Sequence, residues 1–229
     1  MGYSYFQGYF FSKPVIKEGK ALSPTSMGYL RLLQEVHKPE LSLTKLEETI
    51  KQDPSLAYRL LKFINSAWFG LRTEIESIRH ALVWLGPPQI RKWFALVSLR
   101  GMAAGKPNEL MIQALTRARM AEELADAAGM PEKACDLFLM GMFSVLDALL
   151  DQAMTEILEK LPISPQIKSA LLGDSGPFRN VYDLVLAFEQ GQWLAFSACA
   201  AGLGVPEETV QTVFTKAASW AANAFDLSA

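Results

Sequence analysis

Asp147 and Asp151 stand four residues apart, the spacing that sets two carboxylates on one face of a helix. Such a pair can share a proton or face a cation, but general acid–base work also needs a proton-accepting partner, and none adjoins them. The pair reads as an acidic stripe facing solvent. The two histidines, His37 and His80, belong to other helices and read as surface or packing residues. Cys135 and Cys199 lie far apart in apolar helical context and read as two free, buried thiols rather than a disulfide. Gly101-Met102-Ala103-Ala104-Gly105 follows no strand and lacks the Gly-Lys-Ser/Thr ending of a phosphate loop. No serine sits in a nucleophile elbow and no cysteine pairs with a histidine. Trp93 beside Arg91-Lys92 is the one weak case of basic and aromatic residues placed as nucleic-acid binders place them. Taken alone, these residues name no catalytic group, no metal and no cofactor.

The elements that must carry them are helices. Asp53 is a good N-cap, and Pro54 suits the first helical position because its missing N–H would be unpaired there. Leu56, Leu60, Ile64 and Ala67 then share a face that Ala57, Leu61 and Trp68 widen, which predicts a central helix. Asn65 and Ser66 close it, and Gly70 can take the left-handed backbone beyond its end. Ser77 opens the next helix, with Ile78, Ala81, Leu82 and Leu85 inward, Gly86 as the stop and Pro87-Pro88 after it. Later runs such as Phe178, Val181, Val185 and Phe188 keep the same period. From Ala21 onward nothing alternates with period two over a strand's length. Residues 2–14, GYSYFQGYFFSKP, differ: they are aromatic-rich and read as a strand leading into a turn.

Half of the 229 residues are hydrophobic, enough for a sizeable core and against disorder. No apolar run reaches about 18 residues without a charge, so no membrane span is expected. The first residues lack the positive region of a signal peptide, and Phe6 stands where myristoylation needs Ser or Thr. Charge is unevenly spread. Residues 1–119 carry 17 Lys and Arg against 9 Asp and Glu, whereas residues 120–229 carry 5 against 15. Because the basic residues are scattered singly, the imbalance reads first as two lobes attracting each other, and second as a basic face for an anionic partner and an acidic face for a basic one. The flip falls close to Gly101–Pro107, the best place for a hinge.

The ordered string Ile50, Asp53-Pro54, Leu56, Leu60-Leu61, Asn65-Ser66, Phe69-Gly70, Ile75, Ser77-Ile78, Ala81, Leu85-Gly86 resembles the signature of HDOD domains, regulatory relatives of HD-type metal phosphohydrolases. The resemblance implies an all-α, two-lobed helical bundle over residues 21–229, with lobe one at about 21–105 and an HD-like lobe at about 106–229. HD enzymes hold metal with a His, a His-Asp pair and a further Asp. At the matching positions this chain has Arg117, Ser144 and Val145, in a segment that also contains Gly141. On that pattern no metal is expected and no catalytic residue. Gln7, Gly8 and Pro14 resemble the end of an EAL domain, the barrel that hydrolyses cyclic di-GMP; residues 1–20 are then its C-terminal remnant. Residues 144–173, Tyr182, Phe188-Glu189 and Gly191-Gln192-Trp193 are similar to the HDOD module of two-part EAL–HDOD proteins.

The resemblance implies a cytosolic bacterial signalling module that is not itself an enzyme. It would be an output or docking domain of response-regulator type, linked to cyclic di-GMP and working on a protein partner or an attached EAL domain. Two alternatives stand beside it: a residual hydrolase or nucleotide pocket in the HD-like cleft, and nucleic-acid binding through the basic lobe. No cofactor and no membrane partner is expected. The aromatic residues 1–20, without a barrel to bury them, are expected to pack on the helical body or to pair with a second copy.

Overall fold

The computed structural model describes residues 24–227 apart from Pro39, Ala67, Trp68 and Arg72. The expected extended segment, with Gln7, Gly8 and Pro14, lies outside the described residues, as does any dimer built on it. The described residues form helices and no strand: α1 (Pro24–Val36), α2 (Leu43–Gln52), α3 (Pro54–Ile64), α4 (Ile78–Met102), α5 (Asn108–Ala127), α6 (Ala134–Phe143), α7 (Leu146–Leu150), α8 (Met154–Glu159), α9 (Pro165–Leu172), α10 (Pro177–Glu189), α11 (Trp193–Leu203) and α12 (Glu207–Leu227). The fold is all-α, as the sequence predicts.

Local signals set the α2–α4 corner. The Asp53 carboxylate accepts from the backbone N–H groups of Ser55 and Leu56, and Ser77 caps α4 by accepting from His80. Asn65 ends α3 and then holds the following loop by two bonds. Its Nδ2 donates to the Ile75 carbonyl, and its Oδ1 accepts from the Ile75 N–H, both at 2.8 Å. Gly70 has φ +55° in that loop. Gly86, at φ +66° and ψ 170°, breaks α4 where Pro87-Pro88 begin its second half. Leu60, Ile64, Ala81 and Leu82 are fully buried here, and Ile78 only partly.

The central helix is not α3. Its Tyr58 is 66% exposed, whereas Trp93 to Leu99 of α4 are buried without interruption; Ala67 and Trp68 lie outside the described residues. Burying Trp93, edge-on to Phe94, also removes it from any basic–aromatic surface. Around α4 the helices join in one cluster of buried side chains running from Leu30 to Ala224. α5 packs on α6 and on α12, and α1 on the second half of α4. Two glycines permit close crossings: the Tyr29 ring lies over Gly101, and Gly141 of α6 meets the backbone of Arg117 and Ala118 of α5.

The two charge regions meet face to face. Lys92 on α4 pairs with Glu122 on α5, and Lys106, between α4 and α5, pairs with Asp151. Asp151 closes α7 in the left-handed region at φ +53°. The expected acidic stripe is therefore absent: Asp151 turns to Lys106, while Asp147 is half-buried and accepts from the Ala148 N–H. Both cysteines are free, but each is half-buried rather than buried, because each sits at the margin of its helix's packed face. His37 packs against Phe143, and His80 is exposed.

Candidate functional site

Arg117 lies on the inward seam of α5, in line with Leu110, Ala114, Ala121 and Leu124 at alternating four- and three-residue steps. A long cation on such a seam must enter the protein, and only 6% of its side chain is exposed. The missing Cβ of Gly141 is what lets α6 come this close. An ideal Cβ there would sit 2.4 Å from the Ala118 nitrogen, an impossible approach to backbone. α6 thereby delivers Ser144, its C-cap, to the guanidinium. Val145 follows as a core residue, 2% exposed. From the other side α10 brings Glu189, its last residue.

Each nitrogen of the guanidinium has a partner. Nε and Nη2 donate to the two oxygens of Glu189 at 2.7 Å each, the parallel two-point contact that suits a planar fork. Nη1 donates to Ser144 Oγ at 3.1 Å, and that hydroxyl donates onward to the Gly141 carbonyl at 2.7 Å. Gln113 Nε2 adds a third donor to Glu189 at 2.6 Å. Burial works against the Arg117 charge, but the bonds and negative charge of Glu189 outweigh it and raise its pKa. Burial also raises Tyr182, whose phenol lies beside Ser144 and Arg117, and Asp147, which the Arg117 charge partly offsets.

Little in this arrangement is free to react. Glu189 accepts from three donors, the Ser144 proton is committed to a carbonyl, and a guanidinium gives up no proton near neutrality. Among the described residues no group of three His, Cys, Asp or Glu could hold a metal ion. The structure thus joins Arg117 and Ser144 directly, leaves Val145 in the core, and places Asp53, Pro54, Leu60, Asn65, Ser66, Gly70, Ile78, Ala81 and Gly86 at the α2–α4 corner. Glu189 and Gln113 escaped the sequence reading as partners. The signal that could have found Glu189 is the heptad-like seam, because a buried arginine requires a carboxylate.

The family model for the HDOD domain matches residues 22–161. The chain is 35% identical over 219 residues to the cyclic di-GMP phosphodiesterase CdgJ of Vibrio cholerae, covering 96% of this chain and 51% of that protein. It is 33% identical over 228 residues to the uncharacterised protein YuxH of Bacillus subtilis, covering 98% of this chain and 55% of that one. The chain therefore spans about half the length of the curated relatives it matches. Two solved structures share the fold. One, from Marinobacter aquaeolei, is provisionally named a signal transduction protein (TM-score 0.61, 17% identity, 90% of this chain and 59% of that one). The other, from Shewanella amazonensis, is provisionally named a metal-dependent phosphohydrolase (TM-score 0.57, 15% identity, 90% of this chain and 92% of that one). The names correct one expectation. The absent ligands suggested a protein that is no enzyme, yet a relative matched along nearly the whole chain is named a phosphodiesterase. No helix of the described residues is long and apolar enough to cross a membrane.

Proposed function

The chain belongs to the HDOD family, and on that premise we propose that it is the regulatory part of a longer protein of cyclic di-GMP signalling. In this reading the module works by docking, on an attached EAL-type phosphodiesterase domain or a separate partner, and so governs the turnover of that protein. The Arg117–Glu189 pair carries the reading: at the positions matching the HD ligands the chain's own side chains bond to one another. The name of the Vibrio relative supports the link to cyclic di-GMP.

The test exchanges the matching stretch of the Vibrio relative for this chain, or deletes it, and follows cyclic di-GMP hydrolysis. A regulatory role predicts that deletion changes the hydrolysis rate and that the exchanged chain restores it in part. Equal rates in all three proteins would overturn the proposal. Stoichiometric iron, manganese or magnesium in the purified chain would point instead to the hydrolase alternative.

A further inference from the structure

α11 has the composition of a core helix and the position of a surface one. Its sequence, WLAFSACAAGL, contains no charge, yet only Phe196 and Ala200 are buried. Leu194 is 92% exposed and Trp193 is 61% exposed, with Ala198, Ala201 and Gly202 also outward. A helix apolar around its whole girth normally has cover on every side. Here α10 covers one side. The Trp193 ring is held in place edge-on to Phe188 and Phe196, 6.0 and 6.2 Å between centroids, so it stands as a fixed anchor rather than a loose side chain. Fixed aromatics beside small residues are what a partner's side chains fit between, and Trp is prominent among residues that dominate interfaces.

Charge selects the partner. Glu207 and Glu208 stand exposed just beyond the C-terminal end of α11. Arg179, on the adjoining α10, is committed to Asp183. These exposed carboxylates favour a basic partner over nucleic acids and anionic membranes. We propose that the outer face of α11, centred on Trp193 and Leu194, docks a basic amphipathic helix of a partner protein. The partner's apolar stripe lies over α11, and its lysines or arginines meet Glu207 and Glu208. This deepens the docking role proposed above by assigning it a surface and a partner class.

The experiment titrates the whole chain with a labelled amphipathic Leu/Lys helical peptide and, separately, with its Leu/Glu counterpart, reading fluorescence anisotropy. The Leu/Lys peptide should bind and the Leu/Glu peptide should not. Leu194→Lys should weaken binding by about tenfold or more, as loss of an interface anchor does, with an unchanged circular dichroism spectrum because the side chain touches no core. Glu207→Gln with Glu208→Gln should weaken binding severalfold and flatten its salt dependence. Equal binding of the two peptides, or equal binding by parent and Leu194→Lys, would overturn the proposal. So would a dimer of the parent that Leu194→Lys dissolves, which makes a second copy the occupant, or tight binding to phosphatidylglycerol vesicles or DNA. Failure here, with the exchange experiment still showing regulation, would remove this surface and leave the regulatory role standing.

Discussion

Arg117 has no accessible neutral form, so every group around it answers to a permanent cation. Removing its partner strands that cation. Glu189→Leu should destabilise by about 3–5 kcal/mol, and Arg117→Met by a similar amount through the stranded carboxylate. The double variant, which leaves neither charge, should recover most of the loss. Urea denaturation of the four proteins measures this; simple addition of the two losses would show that the pair does not act as one unit. Asn65 works on a smaller scale. It supplies a donor and an acceptor to Ile75, so Asn65→Leu leaves both backbone groups unpaired and should cost about 1–3 kcal/mol. An unchanged melting temperature would refute that. The contrast between these residues marks what a sequence discloses. Asp53, Pro54 and Ser77 act on neighbours within three positions, and their roles can be read locally. Arg117 and Glu189 lie 72 positions apart, and their meeting depends on how α5 and α10 pack.

At the scale of elements, α5 and α6 approach so closely at Gly141 that only a hydrogen fits between them. Because backbone rather than a flexible side chain blocks the space, Gly141→Ala must push the helices apart, for about 3 kcal/mol. It should also lengthen the Ser144–Arg117 contact. A melting temperature within a degree of the parent would sink this account. Helix boundaries were legible where a residue is conformationally special, as at Gly86 and Pro87-Pro88. Which helix is central was not. α3 and α4 both look apolar by composition, and only packing shows that α3 turns Tyr58 and Lys62 outward while α4 is enclosed from Trp93 to Leu99. α11 misleads in the opposite way, since nothing in its residues distinguishes a covered face from an open one.

Across the whole molecule, the basic first part and the acidic second part are held by pairs such as Lys92–Glu122 over a shared core. The charge counts alone foresaw that attraction, though not its partners. His37 sits in the same seam, with Nδ1 donating to the Leu33 carbonyl and a buried Nε2 that has no partner. Burial lowers its pKa below the ordinary 6.5, with Arg91 acting in the same direction and Asp136 against it. The unfolded chain then takes up the proton first, so stability should be full above pH 6.5 and fall as the pH drops toward the lowered folded value. His37→Phe should flatten that fall in urea midpoints between about pH 7.5 and 5; an equally steep fall in the variant would assign it elsewhere. The Arg117 centre has one more consequence. Its positive charge is covalently part of the polypeptide, present in every copy from the moment of synthesis, and cannot be diluted away, exchanged or taken by a competitor. The stability lost on Glu189→Leu should therefore be the same with and without EDTA, and a difference on chelation would disprove it. A cell starved of divalent ions would lose nothing from this centre.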